Sequence, residues 1–238
     1  MVYIENNRIK ADTLELVFSS TSIQKDINFC EAEEGNNPYL NPNLTYGSIT
    51  DIDGNKYATI KIGNQTWMAE NLKTTRYNDG TAITNIKEIS EWKNNPGEGA
   101  WVSYNNDTAN DIVYGKLYNW YAVNTGKLCP NGWHIPTNSE WTELSDYLGN
   151  KAGTKMKSTA GWDNNGNGDN SSGFSGLPGG SRDDSGTFGD FGKYGLFWSS
   201  TENNAIGAWF RQLDYSTSNL HSYSSYKKSG FSCRCVLD

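Results

Sequence analysis

The apolar residues of this chain come in short runs, each cut off within a few residues by Gly, Asn, Asp or Ser. That spacing suits short strands joined by turns and leaves little room for long helices. The interruptions also limit aliphatic bulk. Hydrophobic residues make up 35% of the 238-residue sequence, yet aromatics reach 13%, with nine Trp and fourteen Tyr. Each ring buries a large area, so a core of this composition is built from rings. The length supports one large domain with an appendage.

Residues 1–45 differ from the rest and are read as a head. Residues 8–18 alternate weakly, as one or two strands, and a Glu-, Asn- and Pro-containing loop follows. The head is expected to dock the chain onto a larger assembly or a neighbouring copy. Its apolar residues fit a strand added to the main domain, residues 46–238, equally well.

Within the main domain, residues 49–62 read as strand, Asp53-Gly54 turn and strand, and Gly63-Asn64 turns the chain again. Two helices are predicted. Residues 114–123 place Leu117, Trp120 and Tyr121 at i, i+3 and i+4. Thr137-Asn-Ser-Glu140 is a capping box, after which Trp141, Leu144 and Leu148 recur at helical spacing up to Gly149. Residues 159–190 are rich in Gly, Asn, Asp and Ser and are predicted as long ordered loops. Residues 196–200, 208–213 and 230–236 are predicted as three closing strands. Helices interspersed with strand pairs define an α+β class.

Charge and motifs exclude several functions. The net charge is −7 with no basic run, so no nucleic-acid partner is expected. No stretch approaches the roughly 18 apolar residues that span a bilayer, so no membrane insertion is expected. The first ten residues lack the basic and apolar regions of a secretory signal. There are only two histidines, His134 and His221, and no nucleophile elbow, zincin motif or phosphate loop. His134 is expected to be a hydrogen-bonded structural residue.

Six motifs then occur in order: Thr66-Trp-Met-Ala-Glu-Asn-Leu72, Tyr114-Gly-Lys-Leu-Tyr-Asn-Trp-Tyr121, Leu128-Cys-Pro-Asn-Gly-Trp-His-Ile-Pro136, Leu177-Pro-Gly-Gly180, Phe197-Trp-Ser-Ser-Thr201 and Gly230-Phe-Ser-Cys-Arg-Cys-Val236. Over residues 48–238 the chain resembles the Fibrobacter succinogenes major paralogous domain. The resemblance implies the C-type-lectin-like fold of formylglycine-generating enzymes and of the variable proteins of diversity-generating retroelements. Such a domain has two main helices, short antiparallel strands and long ordered loops, with its ends side by side and its ligand-facing loops on the last strands. Relatives are typically exported bacterial proteins, often lipoproteins. This chain departs from them in its head and in showing no signal or lipobox, so a virion stands beside the cell surface as an expected location.

Cys233 and Cys235 are two apart on a predicted strand and share a face, which places them poorly to bond each other. The resemblance implies a Cys129–Cys235 disulfide, and Cys30–Cys233 is then the second expected pair, stapling the head to the last strand. Four reduced, buried thiols are the alternative for a protein folding in a reducing cytosol. Formylglycine-generating enzymes hold copper on two cysteines, and soft thiolates suit Cu(I). The Cys233-Ser-Cys235 spacing does not match that pair. No cofactor is required in this reading. A structural calcium is the one metal considered: Asp163, Asn165, Asn167 and Asp169 offer oxygens on alternate residues, as at the opening of a calcium loop. Phe174 stands where an EF-hand needs Glu, so the choice lies between a looser calcium site and a plain Gly/Asn turn.

Residues 202–229 carry the ligand-binding candidates: Asn203, Asn204, Trp209, Arg211, Asp214, Tyr215, Asn219, His221, Tyr223 and Tyr226. Antibody paratopes use the same mixture of Tyr for contact area with Ser and Asn for adaptable hydrogen bonds. The expected function is a non-enzymatic adhesion module that recognises a surface glycan or protein receptor. A structural virion or surface decoration without ligand, and a formylglycine-generating-type oxidase, are the alternatives.

Overall fold

The computed structural model describes residues 3–5, 8–11, 14–17 and 37–238. The chain divides into two compact units, Met1–Pro38 and Tyr39–Asp238. In the first, β1 (Tyr3–Glu5), β2 (Arg8–Ala11) and β3 (Leu14–Val17) pair with one another as an antiparallel meander. The second unit starts before residue 46. Asn41 Nδ2 donates to Asn170 O (3.0 Å) and Asn170 Nδ2 to Tyr39 O (3.1 Å), while Leu40, Leu44 and Tyr46 pack on the core.

Two hairpins open the main domain: β4 (Gly47–Thr50), β5 (Lys56–Ile62) and β6 (Gln65–Met68), turning at the two predicted Gly-containing sites. Next come β7 (Thr84–Asn85), α1 (Ile89–Lys93), β8 (Ala100–Val102), α2 (Ala109–Tyr114), β9 (Leu117–Tyr118) and α3 (Trp120–Val123). Then follow β10 (Trp133–His134), α4 (Asn138–Leu148) and α5 (Ala152–Met156). The chain closes with β11 (Gly179–Arg182), β12 (Phe188–Phe191), β13 (Tyr194–Asn204), β14 (Gly207–Asp214), β15 (Leu220–Tyr226) and β16 (Val236–Leu237). One five-stranded sheet has the order β10-β16-β6-β5-β4, so the first and last strands of the domain share a sheet. The other has the order β12-β11-β13-β14-β15 and leaves β15 at an edge. The class is α+β, mostly sheet.

Alternation along β13 and β14 divides the core. Leu196, Trp198, Ala208 and Phe210 face one cluster with Tyr118, Trp120 and Phe231. Phe197 and Leu213 face another with Trp67, Trp141 and Phe174. The second cluster is ring on ring, with Trp67 and Trp141 centroids 4.7 Å apart and Phe174 edge-on to Phe197 at 5.7 Å. Two arginines are fully buried, Arg234 against the second cluster and Arg182 against Trp92 and Phe188, and among the described residues no carboxylate is hydrogen-bonded to either. Arg234 donates to Asn71 Oδ1 (2.8 Å), Phe174 O and Ser175 O (2.9 Å), with its guanidinium 4.2 Å from the Phe174 centroid. Arg182 donates to Gly186 O, Ile86 O and Lys87 O and lies over Trp92. Burial draws Arg234 down to about 9 and Arg182 to about 10, which leaves both charged at neutral pH.

Three expectations are corrected. The predicted helix over residues 114–123 is broken. Gly115 sits at φ +70 with its Cα pressed on Asn71 and Leu72, where a Cβ would stand 2.7 Å from Leu72 O. Lys116 N donates to Leu72 O and Tyr118 N to Phe231 O, so after α2 ends at Tyr114 the backbone pairs across the domain and only residues 120–123 turn as helix again. Residues 159–190 are not all loop, because β11 is fully buried there between β12 and β13. Its sequence, Gly-Gly-Ser-Arg, has no apolar side chain and so gives no periodic signal. The third closing strand is reduced to isolated bridges at Gly230, Phe231 and Ser232, then β16.

α4 forms as expected, with Thr137 Oγ1 accepting from Glu140 N and Glu140 Oε2 accepting from Thr137 N (2.8 Å). The same Glu140 holds His134, whose Nε2 lies 2.8 Å from Oε1, while Nδ1 lies 2.6 Å from Asp238 Oδ1. Burial opposes the imidazolium, but the bonds to Asp238 and Glu140 outweigh it and raise the His134 pKa. Burial also opposes the Glu140 carboxylate, and the bonds from Thr137 and His134 outweigh it and lower its pKa. His134 therefore contributes stability that is full below its unfolded value of 6.5 and lost as pH rises through its raised folded value. Glu140 contributes stability that is full above 4.5 and lost as pH falls through its lowered value. The clamp is strongest between those limits. Thermal midpoints are expected to fall as pH rises from about 6 to about 9, and less steeply in His134→Gln. Parallel pH profiles for the two proteins would contradict this assignment.

Candidate binding surface

Of the residues singled out between 203 and 226, Tyr215 and Asn219 lie in the β14–β15 turn and the other eight occupy strands, where the pleat sorts them. β14 and β15 pair in register Trp209↔Ser224, Phe210↔Tyr223, Arg211↔Ser222 and Gln212↔His221. Cross-strand partners share a face and neighbours along a strand oppose each other. Trp209, Arg211, Ser222, Ser224 and Tyr226 thus lie on the α4 side. Phe210, Asp214, His221 and Tyr223 lie on the other. The ten candidates cannot form one surface, because a period of two puts half of any strand behind the sheet.

Several of them have structural work. Arg211 is only 4% exposed; it donates to Ser222 Oγ, to Asn138 O (3.0 Å) and to Thr142 Oγ1 (3.0 Å), tying β14 and β15 to α4. Asp214 Oδ1 accepts from Ser216 N and Oγ, which closes the β14–β15 turn. His221 Nε2 lies 3.0 Å from Thr217 Oγ1 and stacks on Tyr223 with centroids 5.8 Å apart. Asn204 Oδ1 accepts from Ile206 N and Gly207 N at the β13–β14 turn. Tyr215 is partly buried on the core, and Asn219 presents its backbone to Gly153. Asn203 and the rings of Tyr223 and Tyr226, 47% and 54% exposed, remain open to solvent. Trp209 is half-buried beside its cross-strand partner Ser224.

Thr142, which accepts from Arg211, also lines a cleft that no sequence motif marked. Ile62, Asn64, Gln65, Ser139, Thr142, Glu143, Asp146 and Tyr147 line a volume of about 480 Å³ between the β5–β6 turn and the outer face of α4. Tyr147, 65% exposed, lies across Gly63, where a Cβ would stand 2.9 Å from the ring. Gln65 is locked, its Nε2 donating to Glu140 O and its Oε1 accepting from Trp67 Nε1. Among the described residues neither Glu143 nor Asp146 has an ion-pair or hydrogen-bond partner. The signal was present in the sequence as an aromatic residue on the polar face of an amphipathic helix.

The Asp163–Asp169 segment is held by bonds to its flanks and to the rest of the domain, with Asp163 N, Gly168 N and Asp169 N donating to Gly192 O, Ser158 O and Thr154 O. Asn167 Oδ1 accepts from Trp162 N (3.0 Å) and Asp169 Oδ1 from Ser171 N (2.9 Å). Asp163 packs against Gly192, and Asn165 follows in a turn of 3-10 helix with φ +58. No group of three or more His, Cys, Asp or Glu side chains able to hold a metal ion occurs among the described residues. No described helix is long and apolar enough to cross a membrane. Cys129 and Cys235 form a disulfide. Cys233 is a free thiol fully enclosed in the first aromatic cluster, and Cys30, its expected partner, lies outside the described residues. Burial pushes the Cys233 thiol well above its usual value.

A mostly-sheet α+β domain with its closing strands on an aromatic core is the class these features define. The chain matches the Fibrobacter succinogenes major domain over residues 60–237 and belongs to that family. Neither the curated proteins nor the solved structures contain a match.

Proposed function

We propose that this chain is a non-enzymatic binding module with a C-type-lectin-like arrangement, recognising a glycan or protein at a bacterial or virion surface. The observation that carries this reading is the edge strand β15, which keeps Ser222, Tyr223, Ser224 and Tyr226 exposed while Arg211 and Phe210 anchor its neighbour. Exposed Tyr flanked by Ser gives contact area at low entropic cost on a rigid support. The α4-side strip of Trp209, Ser222, Ser224 and Tyr226 is the more open face, and it is the one assigned to ligand. The oxidase alternative loses its thiol pair, since Cys235 is bonded to Cys129 and Cys233 is enclosed. In this reading the first unit, Met1–Pro38, attaches the domain to a larger assembly or a second copy, and calcium is an optional stiffener of residues 163–169.

The test is binding of the fluorescent protein to intact gut-type bacteria and to a glycan array, with and without calcium. Tyr226→Ala and Ser224→Arg are expected to weaken binding at least about tenfold, and Tyr223→Ala much less. Absence of binding by folded wild-type protein to any surface would leave the decoration role instead. Loss confined to Tyr223→Ala would move the ligand to the opposite face.

A further inference from the structure

We infer that the α4 cleft is a second binding site, separate from the β15 strip, that takes an amino sugar carrying a free ammonium group. Charge comes first. Glu143 and Asp146, at i and i+3 on one helix face, put two carboxylates in the lining, which contains no Lys, Arg or His. Both lack partners among the described residues, so the fields of the two charges are left to a ligand cation. Arg211, the cation behind Thr142, is almost wholly buried and spends its donors on Ser222, Asn138 and Thr142.

The rest of the lining chooses between cations. A lysine side chain offers an ammonium on an apolar stem and has no use for Asn64, Ser139 and Thr142, which add amide and hydroxyl groups around the carboxylates. A sugar ring has hydroxyls for those groups and a C–H face for an aromatic wall. Tyr147 supplies that wall, held over Gly63 with most of its ring exposed, and Ile62 forms an apolar floor. The volume of about 480 Å³ is in the range of small-molecule sites and accommodates one or two sugar rings. An ammonium bonded to two carboxylates makes charge-assisted bonds, the stronger kind, so the free amine sets the specificity.

The experiment titrates the full chain with a short β-1,4-linked glucosamine oligomer, its fully N-acetylated counterpart and an oligolysine of equal charge. The glucosamine oligomer is expected to bind, and the acetylated one at least about tenfold more weakly. Glu143→Gln with Asp146→Asn, and separately Tyr147→Ala, are each expected to cost about tenfold or more. All three positions are solvent-exposed, so the variants keep the fold, which circular dichroism checks. Tyr226→Ala is expected to leave this binding unchanged, which separates the cleft from the β15 strip. No binding of the glucosamine oligomer, equal binding of the acetylated one, or oligolysine binding as tight and indifferent to Tyr147→Ala would each overturn the proposal.

Discussion

Replacing Arg234 by Ala is expected to lower the unfolding free energy by roughly 3–5 kcal/mol, and replacement by Lys by nearly as much. The guanidinium is completely enclosed and bonds three acceptors, Asn71 Oδ1, Phe174 O and Ser175 O, while stacking on Phe174. Alanine leaves three buried acceptors without donors and a void between two rings. Lysine restores one charge but cannot fork to carbonyls of successive residues, nor lie flat on an aromatic face. Urea unfolding followed by Trp fluorescence measures the shift in midpoint. A change under about 1 kcal/mol for Arg234→Ala would show that the segment joining Phe174 and Ser175 is held by something else.

The second large effect is expected from the Cys129–Cys235 bond. It closes a loop with a sequence separation of 106 and ties the segment before β10 to the residue before β16. Loop closure on that scale restricts the unfolded chain strongly, so Cys129→Ala with Cys235→Ala is expected to cost about 2–5 kcal/mol. Cys233→Ala is expected to cost about 1 kcal/mol, because it removes one buried sulfur from a packed cluster and no crosslink. Non-reducing peptide mapping should recover Cys129 joined to Cys235, with Cys233 unreactive toward thiol reagents until the protein unfolds. Recovery of Cys233 bonded to Cys30 would contradict the free thiol.

Both effects concern residues that local patterning could name only in part. The closely spaced Cys233 and Cys235 could be read as unable to bond each other, but whether Cys233 finds a partner depends on what surrounds it in the core. Arg234 gave no sign of burial at all, because a charged residue between two cysteines looks like a surface residue until the carbonyls of Phe174 and Ser175 are seen to meet it. Glu143, Asp146 and Tyr147 were legible as the polar face of α4, yet the cleft exists only because the β5–β6 turn lies alongside.

What the sequence by itself determined was local and chemical. The Asp53-Gly54 and Gly63-Asn64 turns, the capped helix α4, the aromatic character of the core and the family all follow from short-range patterns, and these depend on backbone preferences and side-chain type within a few residues. Tertiary structure decided the rest. Residues 114–123 have helical spacing but become strand and a single helical turn, because Leu72 and Phe231 supply backbone partners that a helix would forgo. β11 is a central strand with no apolar side chain, held by its neighbours on both sides. The Tyr- and Ser-rich segment has the composition of a loop but lies as an edge strand. Once its register on β14 is set, alternation assigns each side chain a face, and only pairing across the chain can set that register.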